Sequence, residues 1–381
     1  LKRIRKTTMS KHPTPQIAMT GRIRKSPYYE ATIKHGIKVM SVYNHMYMPS
    51  IYGDPMTDYE NLTTRVTLWD VAVERQVEIR GPDAAAFTQF LTCRDISKCK
   101  VGRCMYVPII DDKGGMLNDP IMLKIAEDRF WLSLADHDIL LWAKGLNVGL
   151  KMDVEITEPD VSPLAVQGPK SYELMVDLFG DWISDIKFFW FREAELNGIP
   201  MVIAKSGWSK QGGYELYLQD GSRGVELWET IWEAGQKYGI TPGAPHGIER
   251  IESGLLNFGH DLLPDMNPWE AGLGQYVHLD MAADFVAKDA LRQIQQDGVT
   301  RKLVGLYIDG VDPLPVNDQI WSVVGHTYDQ ARLTSFTWSP RFDNNIGIAL
   351  LPIDHTALGS VVEVNTPNGV AQATVVEFPF K

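Results

Sequence analysis

Eight residues, VEIRGPDA at positions 77–84, are matched in kind by LAVQGPKS at positions 164–171, 87 residues further along the chain. Each stretch runs from strand formers through a Gly-Pro pair into residues that suit a helix. A proline just inside a helix start costs no hydrogen bond, and the glycine before it lets the chain turn sharply. The repeat therefore predicts two β-to-α corners, followed by helices over residues 83–91 and 170–178.

Further strand patterns follow each corner. They cover residues 105–110, 121–125 and 130–134 in the first half and 201–204 and 214–218 in the second half. The spacing of apolar residues predicts a second helix in each half, over residues 138–148 and 224–238. Two β-α-β-β halves of similar length predict a pseudo-duplicated α+β core whose sheets meet at a central cleft.

The pattern changes towards the C-terminus. Short strands with turn signals are predicted over residues 303–309, 346–350, 361–364 and 372–376. They indicate a small C-terminal β domain. Apolar residues at helical spacing predict connecting helices before it, over residues 247–258 and 289–296. Residues 1–20 are basic without apolar periodicity, which predicts an N-terminal arm.

The composition is that of a globular protein with a substantial core. Of 381 residues, 44% are hydrophobic and 22% are charged, and 37 basic against 48 acidic residues give a net charge of −11. This charge disfavours nucleic acid as a partner and favours a small-molecule substrate. No apolar stretch approaches the roughly 20 residues of a membrane span, and the basic start lacks the apolar region of a signal peptide. We therefore expect a cytoplasmic protein with no membrane partner.

Several common catalytic motifs are absent from the sequence. Cys93, Cys99 and Cys104 have neither the even number of a disulfide framework nor the paired spacing of a zinc site, so we expect reduced structural thiols and no metal. No nucleotide-binding G-x-G-x-x-G, P-loop, H-E-x-x-H or G-x-S-x-G string occurs. These observations disfavour dinucleotide oxidoreductases, P-loop enzymes, zincins and serine hydrolases.

The string DDKGGMLNDP at residues 111–120 is the first candidate for chemistry. Its Gly-Gly turn leads into a predicted strand, and Asp119 stands at the start of that strand. Pro120 restrains Asp119 to extended geometry, so the carboxylate points in a fixed direction, as an electrostatic or hydrogen-bonding group requires. Asp-Gly sequences are also common in polar hairpin turns, and the string alone fits such a turn at least as well.

A second candidate lies in SGWSKQGGYELY at residues 206–217, a glycine-rich loop that enters a strand. In a strand, Glu215 and Tyr217 share a face. A carboxylate beside aromatic rings can accept paired N–H groups from a flat heterocycle while the rings cover its faces. The alternative is a half-exposed strand with an edge glutamate.

Two further candidates are aromatic and basic. The run YNHMYMP, which begins at Tyr43, could line a pocket for a cationic group together with Trp69, Trp190 and Trp208, through cation–π contacts. Aromatic side chains are more commonly part of a core, which is the alternative. Arg250 stands on a predicted helix between acidic neighbours, as in a binding site or in an ordinary solvated helical face.

The order of these strings resembles one family along nearly the whole chain, from Thr20 to Lys381: the folate-dependent aminomethyltransferases, which include the T-protein of the glycine cleavage system. Six ordered motifs carry the resemblance: GGMLND at 114–119, QGP at 167–169, GYE at 213–215, RIESG at 250–254, NPWEAGL at 267–273 and TSFTWSP at 334–340. Within the family, the sequence is most similar to the dimethylsulfoniopropionate demethylase branch. The strings that carry this similarity are RIRKSPY at 22–28, VYNHM at 42–46, WDVAVERQV at 69–77, CRD at 93–95 and SGWSKQGG at 206–213.

The resemblance implies an α+β protein whose three domains form a ring around a central channel, with a pseudo-duplicated, ferredoxin-like core. It places a first, discontinuous folate-binding domain in residues 21–65 with 240–297, the duplicated domain in 66–239 and the C-terminal β domain in 298–381. Tetrahydrofolate would lie in the channel as the methyl acceptor, beside a small-molecule methyl donor. A homodimer is also expected by resemblance.

The resemblance also assigns roles to residues of this sequence. Asp119 would stand near the reactive N5 of tetrahydrofolate as the catalytic residue. The implied cofactor-binding residues are Tyr106, Asn118, Glu215, Tyr217 and Arg250. Of these, Glu215 would pair with the amino and ring N–H groups of the pterin, and Arg250 would hold the cofactor side. The two tyrosines would flank the folate.

The methyl donor has its own candidate residues. By resemblance, Tyr43 and Trp208 would contact it, and Trp190 is a third aromatic candidate. A donor that carries a carboxylate needs a cation. The candidates for that cation are Arg22, Arg24, Lys25 and Lys205.

The implied reaction moves a methyl group from a sulfonium to N5 of tetrahydrofolate, giving 5-methyltetrahydrofolate and the thioether methylmercaptopropionate. A sulfonium methyl is already activated because its leaving group departs neutral, so in-line displacement needs no covalent enzyme intermediate. Alignment of two bound reactants can supply roughly 7–11 kcal/mol of barrier reduction. Positive charge develops at N5 during the attack, and a fixed carboxylate at Asp119 would stabilise it.

The sequence departs from its relatives at three places. Asn118 stands where aminomethyltransferases usually carry a second aspartate beside Asp119. The demethylase branch shares this asparagine, which favours demethylation over aminomethyl transfer. PGAPHG at 242–247 and His260 depart from the demethylase pattern and leave the donor open. The alternatives are a paralogue acting on another methylated onium or methoxy compound, an aminomethyltransferase, and a non-catalytic folate-binding protein.

Overall fold

A computed structural model describes residues 19–316 and 319–381 of the chain. The predicted N-terminal arm over residues 1–20 lies outside the described residues, apart from its last two. Within the described residues the chain forms eight α-helices and 21 strands, joined by loops and short 3₁₀ segments.

The helices are α1 (Tyr29–Lys34), α2 (Pro55–Thr64), α3 (Ala84–Leu91), α4 (Ile139–Leu150), α5 (Ser171–Phe179), α6 (Gly224–Gly235), α7 (Gly247–Glu252) and α8 (Lys288–Asp297). The strands of the first half are β1 (Val39–Tyr43), β2 (Met46–Ile51), β3 (Thr67–Asp70), β4 (Gln76–Arg80), β5 (Cys104–Tyr106), β6 (Ile109–Ile110), β7 (Met116–Asn118), β8 (Ile121–Ala126), β9 (Arg129–Ser133) and β10 (Glu155–Thr157). The remaining strands are β11 (Ser162–Gln167), β12 (Phe191–Leu196), β13 (Ile199–Ala204), β14 (Gly213–Leu218), β15 (Thr241–Gly243), β16 (Arg301–Asp309), β17 (Trp321–Ser322), β18 (Arg332–Ser339), β19 (Asn344–Pro352), β20 (Val361–Thr366) and β21 (Gly369–Val376).

Two sheets hold the repeated corners, one corner in each. The first sheet has the antiparallel order β10-β4-β9-β8-β5, and the corner joins β4 to α3. The second has the order β12-β13-β14-β11-β3-β15, and the corner joins β11 to α5. Its strands are antiparallel except β15, which runs parallel to β3. Both predicted corners and the helices after them are therefore present.

The glycine of each corner is required by its geometry. Gly81 and Gly168 adopt positive φ angles of +134° and +116°, which L side chains rarely adopt. A Cβ atom at Gly81 would lie 2.7 Å from the carbonyl oxygen of Asp153, and one at Gly168 would lie 2.5 Å from that of Arg65. Another strand or loop thus crosses directly over each corner, and only glycine leaves room for it.

The two sheets pack against each other through a buried cluster. It includes Leu123 and Trp131 from the first sheet and Val202 and Tyr217 from the second, each no more than 1% exposed. The rings of Trp131 and Tyr217 lie 6.5 Å apart between centroids. This packing brings β8, which begins two residues after Asp119, close to β14, which contains Glu215.

The C-terminal residues form a barrel-like sheet of the order β17-β18-β19-β16-β21-β20. A bridge between Val323 and Val364 brings its two edges together and nearly closes it. Leu306, Phe336 and Ala373 are among the apolar residues that fill its interior. The predicted C-terminal β domain is therefore present.

Several features differ from the sequence predictions, which do not include helices α1 and α2 or strands β3, β10, β12 and β15. The helix predicted over 247–258 stops at Glu252, because the chain turns at Gly254 with a φ of +67°. Strand β18 and the hairpin β1–β2 were not predicted. The strand predicted over 105–110 is divided into β5 and β6. The division into domains stays a prediction.

No helix among the described residues has both the length and the apolar character needed to cross a membrane.

Candidate functional site

A cavity of about 1660 Å³ opens where the two sheets, helix α7 and the C-terminal barrel meet. The hairpin β1–β2, the start of β8 and the loop over residues 206–210 line one part of it. Helix α7 and residues 375–379 line another. The three carboxylates described next, those of Glu74, Asp119 and Glu215, all lie on its wall.

Asp119 is a half-buried acid at the cavity wall, between β7 and β8. The hydroxyl of Tyr106 donates a hydrogen bond to Asp119 Oδ2 at 3.1 Å. Burial raises the pKa of Asp119 to about 7, against the opposing effect of that hydrogen bond. The turn itself is made by Asp111, whose Oδ1 accepts from the backbone N–H groups of Lys113 and Gly115. Asp119 is thus free of the turn and available to a ligand.

Glu215 lies on β14 and is 5% exposed. Ser206 Oγ donates to Glu215 Oε2 at 2.5 Å, and Tyr217 Oη donates to the same oxygen at 3.1 Å. Burial raises the pKa of Glu215, and the two hydrogen bonds oppose that rise. Because both bonds end on Oε2, the other carboxylate oxygen is left for a donor in the cavity.

The loop over residues 206–213 is shaped by Gln167. Ser209 Oγ donates to Gln167 Oε1 at 2.8 Å. A Cβ atom at Gly207 or at Gly213 would lie 2.1 or 2.3 Å from Gln167 Nε2, so both positions need glycine. The loop therefore wraps tightly around one side chain and presents Trp208 to the cavity.

Glu74 is a third carboxylate of the cavity wall, which the sequence analysis did not single out. Ser133 Oγ donates to Glu74 Oε2 at 3.2 Å. Burial raises the pKa of Glu74 well above its ordinary value, and the charges of Glu215 and Asp119 raise it further. In the described parts of the chain, no lysine or arginine forms an ion pair with any of these three acids. This end of the cavity is therefore acidic and uncompensated by cations.

Asn118, in contrast to its neighbour Asp119, is absent from the cavity wall. It is 0% exposed, and its side chain makes a reciprocal pair with the backbone of Ala135. Asn118 Nδ2 donates to the Ala135 carbonyl at 3.0 Å, and the Ala135 N–H donates to Asn118 Oδ1 at 2.9 Å. The structure thus gives Asn118 a supporting place behind the wall, and its predicted contact with the cofactor stays a prediction.

Arg250 lies on α7 and reaches the cavity although it is only 4% exposed. Its guanidinium forms a buried ion pair with Asp261 and donates to Ser335 Oγ at 2.6 Å. The alternative prediction, that Arg250 lies on a solvated helical face, is therefore wrong. Tyr217 is 0% exposed and stands behind Glu215, away from the cavity wall.

The predicted donor residues divide into two groups. Tyr43 and Trp208 line the cavity, whereas Trp190 lies beside Ile186 and Arg192 in a separate small pocket. Arg24 is half-exposed and pairs with Glu158 at 2.8 Å, outside the cavity. The structure therefore does not bring Trp190 or Arg24 to the site.

The other candidate cations are also absent from the wall. Lys25 pairs with Glu30 at 2.9 Å, and Lys205 lies 5.8 Å from the ring centroid of Tyr214. Arg22 is exposed. The basic side chains that do line the cavity are Lys210, His246, Arg250, His260 and Lys302. They include both histidines by which the sequence departs from the demethylase pattern.

The described residues contain no group of histidine, cysteine, aspartate and glutamate side chains placed to hold a metal ion. Cys93, Cys99 and Cys104 are free and buried. Burial raises the pKa of the Cys93 thiol to about 12 and also raises the pKa values of the other two thiols, so all three are poor nucleophiles.

Two family models together match most of the chain. The GCVT N-terminal domain matches residues 28–281, and the glycine cleavage T-protein C-terminal barrel domain matches residues 301–381. A curated relative, the dimethylsulfoniopropionate demethylase DmdA of Ruegeria pomeroyi, is 40% identical over 93% of this chain and 97% of its own length. An aminomethyltransferase of Caldanaerobacter subterraneus is 30% identical over 94% of this chain and 96% of its own length.

A solved structure agrees with the fold described above. The glycine cleavage system aminomethyltransferase T from Bartonella henselae superposes with a TM-score of 0.81, covering 94% of this chain and 98% of that one. At 22% sequence identity, this likeness concerns the fold.

Proposed function

The chain belongs to the glycine cleavage T-protein family, and on that basis we propose that it is a tetrahydrofolate-dependent demethylase. In this proposal a methyl group moves from dimethylsulfoniopropionate to N5 of tetrahydrofolate. The sulfur keeps the bonding electron pair and leaves as the neutral thioether methylmercaptopropionate. N5 forms the new bond to carbon and loses its proton, so the other product is 5-methyltetrahydrofolate.

The observation that carries the proposal is the difference between Asn118 and Asp119. Aminomethyltransferases of the family usually carry two aspartates here, whereas this chain uses Asn118 to hold the backbone of Ala135. One carboxylate, that of Asp119, is left at this point of the wall. A single fixed carboxylate suits a step in which positive charge develops on one nitrogen and one proton leaves.

Glu215 supports a folate as the second substrate. Glu215 lines the cavity, and Ser206 and Tyr217 both donate to its Oε2, which leaves Oε1 for a ligand. A fixed, buried carboxylate of this kind can accept the amino and ring N–H groups of a pterin as charge-assisted hydrogen bonds. Arg250, on another part of the same wall, supplies a cation for the rest of the cofactor.

Asp119 has the protonation behaviour that the reaction needs. With a pKa of about 7, a large fraction of Asp119 is ionised at neutral pH and can stabilise positive charge on N5. The same carboxylate can accept the proton that N5 loses, because the pKa of Asp119 lies near neutral pH. Tyr106 donates to Asp119 Oδ2 and so holds the acid in place.

The donor would be held by charge and by aromatic faces. Tyr43 and Trp208 both line the cavity, and Tyr43 lies within electrostatic reach of Glu74 and Asp119, so a sulfonium there would find both aromatic rings and nearby carboxylates. The positive charge on sulfur disappears during the reaction, so an excessive hold on the sulfonium would stabilise the ground state and slow the step. Orientation of the two reactants is therefore the main contribution expected of the protein.

A second candidate is a paralogue that demethylates a different methylated onium or methoxy compound. Two observations favour it: Arg22, Arg24, Lys25 and Lys205 all lie off the cavity wall, and His246 and His260 lie on it. A donor carboxylate would then have to bind to Lys210, Arg250 or Lys302. A donor without a carboxylate would need none of them.

The two candidates are separated by a donor panel. Purified protein is incubated with tetrahydrofolate and, in turn, dimethylsulfoniopropionate, glycine betaine, dimethylglycine and a methoxylated aromatic acid, and 5-methyltetrahydrofolate is measured by mass spectrometry. The proposal expects product with dimethylsulfoniopropionate. Product with another donor alone would establish the paralogue, and folate binding without product would favour aminomethyl transfer or a non-catalytic role.

A further inference from the structure

The motifs Thr334-Ser335 and His260-Asp261 have no role in the reaction as proposed so far. We propose that Asp261 and Ser335 are positioning residues that hold the Arg250 guanidinium at the cavity wall, so that the C-terminal barrel sets the affinity for folate. The inference rests on the proposed function, in which Arg250 contacts the cofactor.

The guanidinium of Arg250 is held at two of its nitrogens. Nη1 pairs with Asp261 Oδ2, and Nη2 donates to Ser335 Oγ at 2.6 Å. Arg250 is 4% exposed, and both partners are 0% exposed. A planar guanidinium fixed at two nitrogens has its orientation fixed as well, because its donors form a rigid fork.

Asp261 is saturated by groups that leave it no alternative position. Its Oδ1 accepts from Thr334 Oγ1 at 2.6 Å and from Ser335 Oγ at 2.7 Å. Its Oδ2 accepts from the backbone N–H of Asn257 at 3.0 Å as well as from Arg250. A buried ion pair is favourable only when such additional hydrogen bonds satisfy the remaining lone pairs. The carboxylate is therefore built to hold one cation in one place.

A bulge in the barrel makes this arrangement available. Consecutive side chains of a regular strand point to opposite faces, yet Thr334 and Ser335 both reach Asp261 Oδ1. The register of β18 against β19 shifts between Leu333 and Ser335, which is the signature of an extra residue in the strand. The bulge turns both hydroxyls towards Asp261. Strand β18 of the barrel is thereby connected, through Asp261 and Ser335, to Arg250 on the cavity wall.

Two serines on the same strand give a matched pair for the test. Ser335 and Ser339 lie on β18, are 0% exposed and each contact a charged side chain of α7. Ser335 accepts from Arg250, which lines the cavity, whereas Ser339 donates to Glu252 at 2.5 Å, away from the cavity wall. Replacing either serine by alanine removes one buried hydroxyl from the same interface.

The experiment measures the Kd for tetrahydrofolate by anaerobic calorimetry, with kcat and Tm, for Ser335→Ala, Ser339→Ala and Arg250→Gln. We expect Ser335→Ala to raise the Kd about tenfold and leave kcat at saturating tetrahydrofolate within about twofold, because the hydroxyl that links Arg250 Nη2 to Asp261 Oδ1 is lost while Asp119 is untouched. Ser339→Ala should lower Tm about as much as Ser335→Ala does, but it should keep the Kd of the unmodified protein.

A Kd for Ser335→Ala equal to that for Ser339→Ala, beside a weakened Arg250→Gln, would overturn the positioning inference alone. A normal Kd for Arg250→Gln would instead remove Arg250 from the proposed folate site. If Ser335→Ala does not fold, Thr334→Val carries the test, since it keeps the side-chain shape and removes one hydrogen bond to Asp261. It should raise the Kd about threefold, and an unchanged Kd would again contradict the inference.

Discussion

Tyr106 and Asp119 form a hydrogen-bonded pair on the wall of the cavity, with the phenol donating to Oδ2 at 3.1 Å. The bond stabilises the ionised acid, burial stabilises the neutral acid, and the balance leaves the pKa of Asp119 at about 7. A carboxylate in this state can change its charge at neutral pH, which an exposed aspartate cannot.

Asp119→Asn should separate activity from stability. We expect kcat for methyl transfer to fall about 100- to 1000-fold, because the group that stabilises charge on N5 is lost. The folded-state pKa of Asp119 lies above its ordinary value of 3.8, so the acid costs stability as pH rises from about 4 to about 7. At pH 8 the variant should therefore melt higher than the unmodified protein, by roughly 1–2 °C for each kcal/mol regained. Normal turnover would exclude Asp119 from the mechanism.

Tyr106→Phe should move the pH dependence of the reaction. Removal of the phenolic hydroxyl takes away a hydrogen bond that lowers the pKa of Asp119, so the pKa rises further. We expect the rising limb of kcat/KM against pH, which lies near 7 in the unmodified protein, to shift to higher pH. The measurement is a pH–rate profile, and an unshifted limb would show that it reports another group.

Glu74→Gln is the counterpart of that change. The substitution keeps the shape of the side chain and removes a carboxyl group whose pKa is raised by burial and by the charges of Glu215 and Asp119. Since the amide adds no negative charge beside Asp119, the limb should not move to higher pH, in contrast to the effect of Tyr106→Phe. Shifts of the same sign in the two variants would contradict the electrostatic account of the acidic end.

Glu215→Gln should weaken the binding of tetrahydrofolate about tenfold to 100-fold, because charge-assisted hydrogen bonds to the pterin become neutral ones. Calorimetry gives the Kd directly. Tyr217→Phe is the matched control, since it removes a hydroxyl that touches Glu215 from behind the wall. It should have a smaller effect than Glu215→Gln, and the reverse order would argue against a direct contact of Glu215 with folate.

Trp208→Ala should raise the KM for a cationic donor about tenfold, because Trp208 lines the cavity and its ring can make a cation–π contact with the donor. Trp190→Ala removes a ring of the same size from a place outside the cavity. At a temperature well below the Tm of both variants, the donor KM of Trp190→Ala should remain that of the unmodified protein. Equal KM values for the two variants would remove Trp208 from the donor site.

The sequence is informative wherever the signal is local. A Gly-Pro pair after strand formers predicts both corners, because the turn depends on the residues that make it. The same reasoning fails for the helix predicted over 247–258. Leu255 and Leu256 continue the apolar spacing, yet they line the cavity after the chain has turned at Gly254. Apolar residues on a cavity wall and on a helix face give the same pattern.

The site is harder to predict because it is assembled from distant parts of the chain. Glu74 lies between β3 and β4 in the string WDVAVERQV, which carries the resemblance but gives this residue no role, and only the packing of the two sheets brings it near Glu215. Arg24 looks like a donor-binding cation by its motif, but its partner is Glu158, 134 residues away. Glu215 and Tyr217 share a strand face as expected, but burial decides that Tyr217 supports the acid from behind.

The central claim is that a methyl group passes from a sulfonium donor to N5 of tetrahydrofolate on this protein. The most direct measurement uses dimethylsulfoniopropionate with both S-methyl groups deuterated, and follows the folate product by mass spectrometry. The account predicts 5-methyltetrahydrofolate that carries all three deuterium atoms, formed with the unmodified protein and strongly reduced with Asp119→Asn. Absence of labelled product from protein that binds tetrahydrofolate, or equal product from Asp119→Asn, would contradict it.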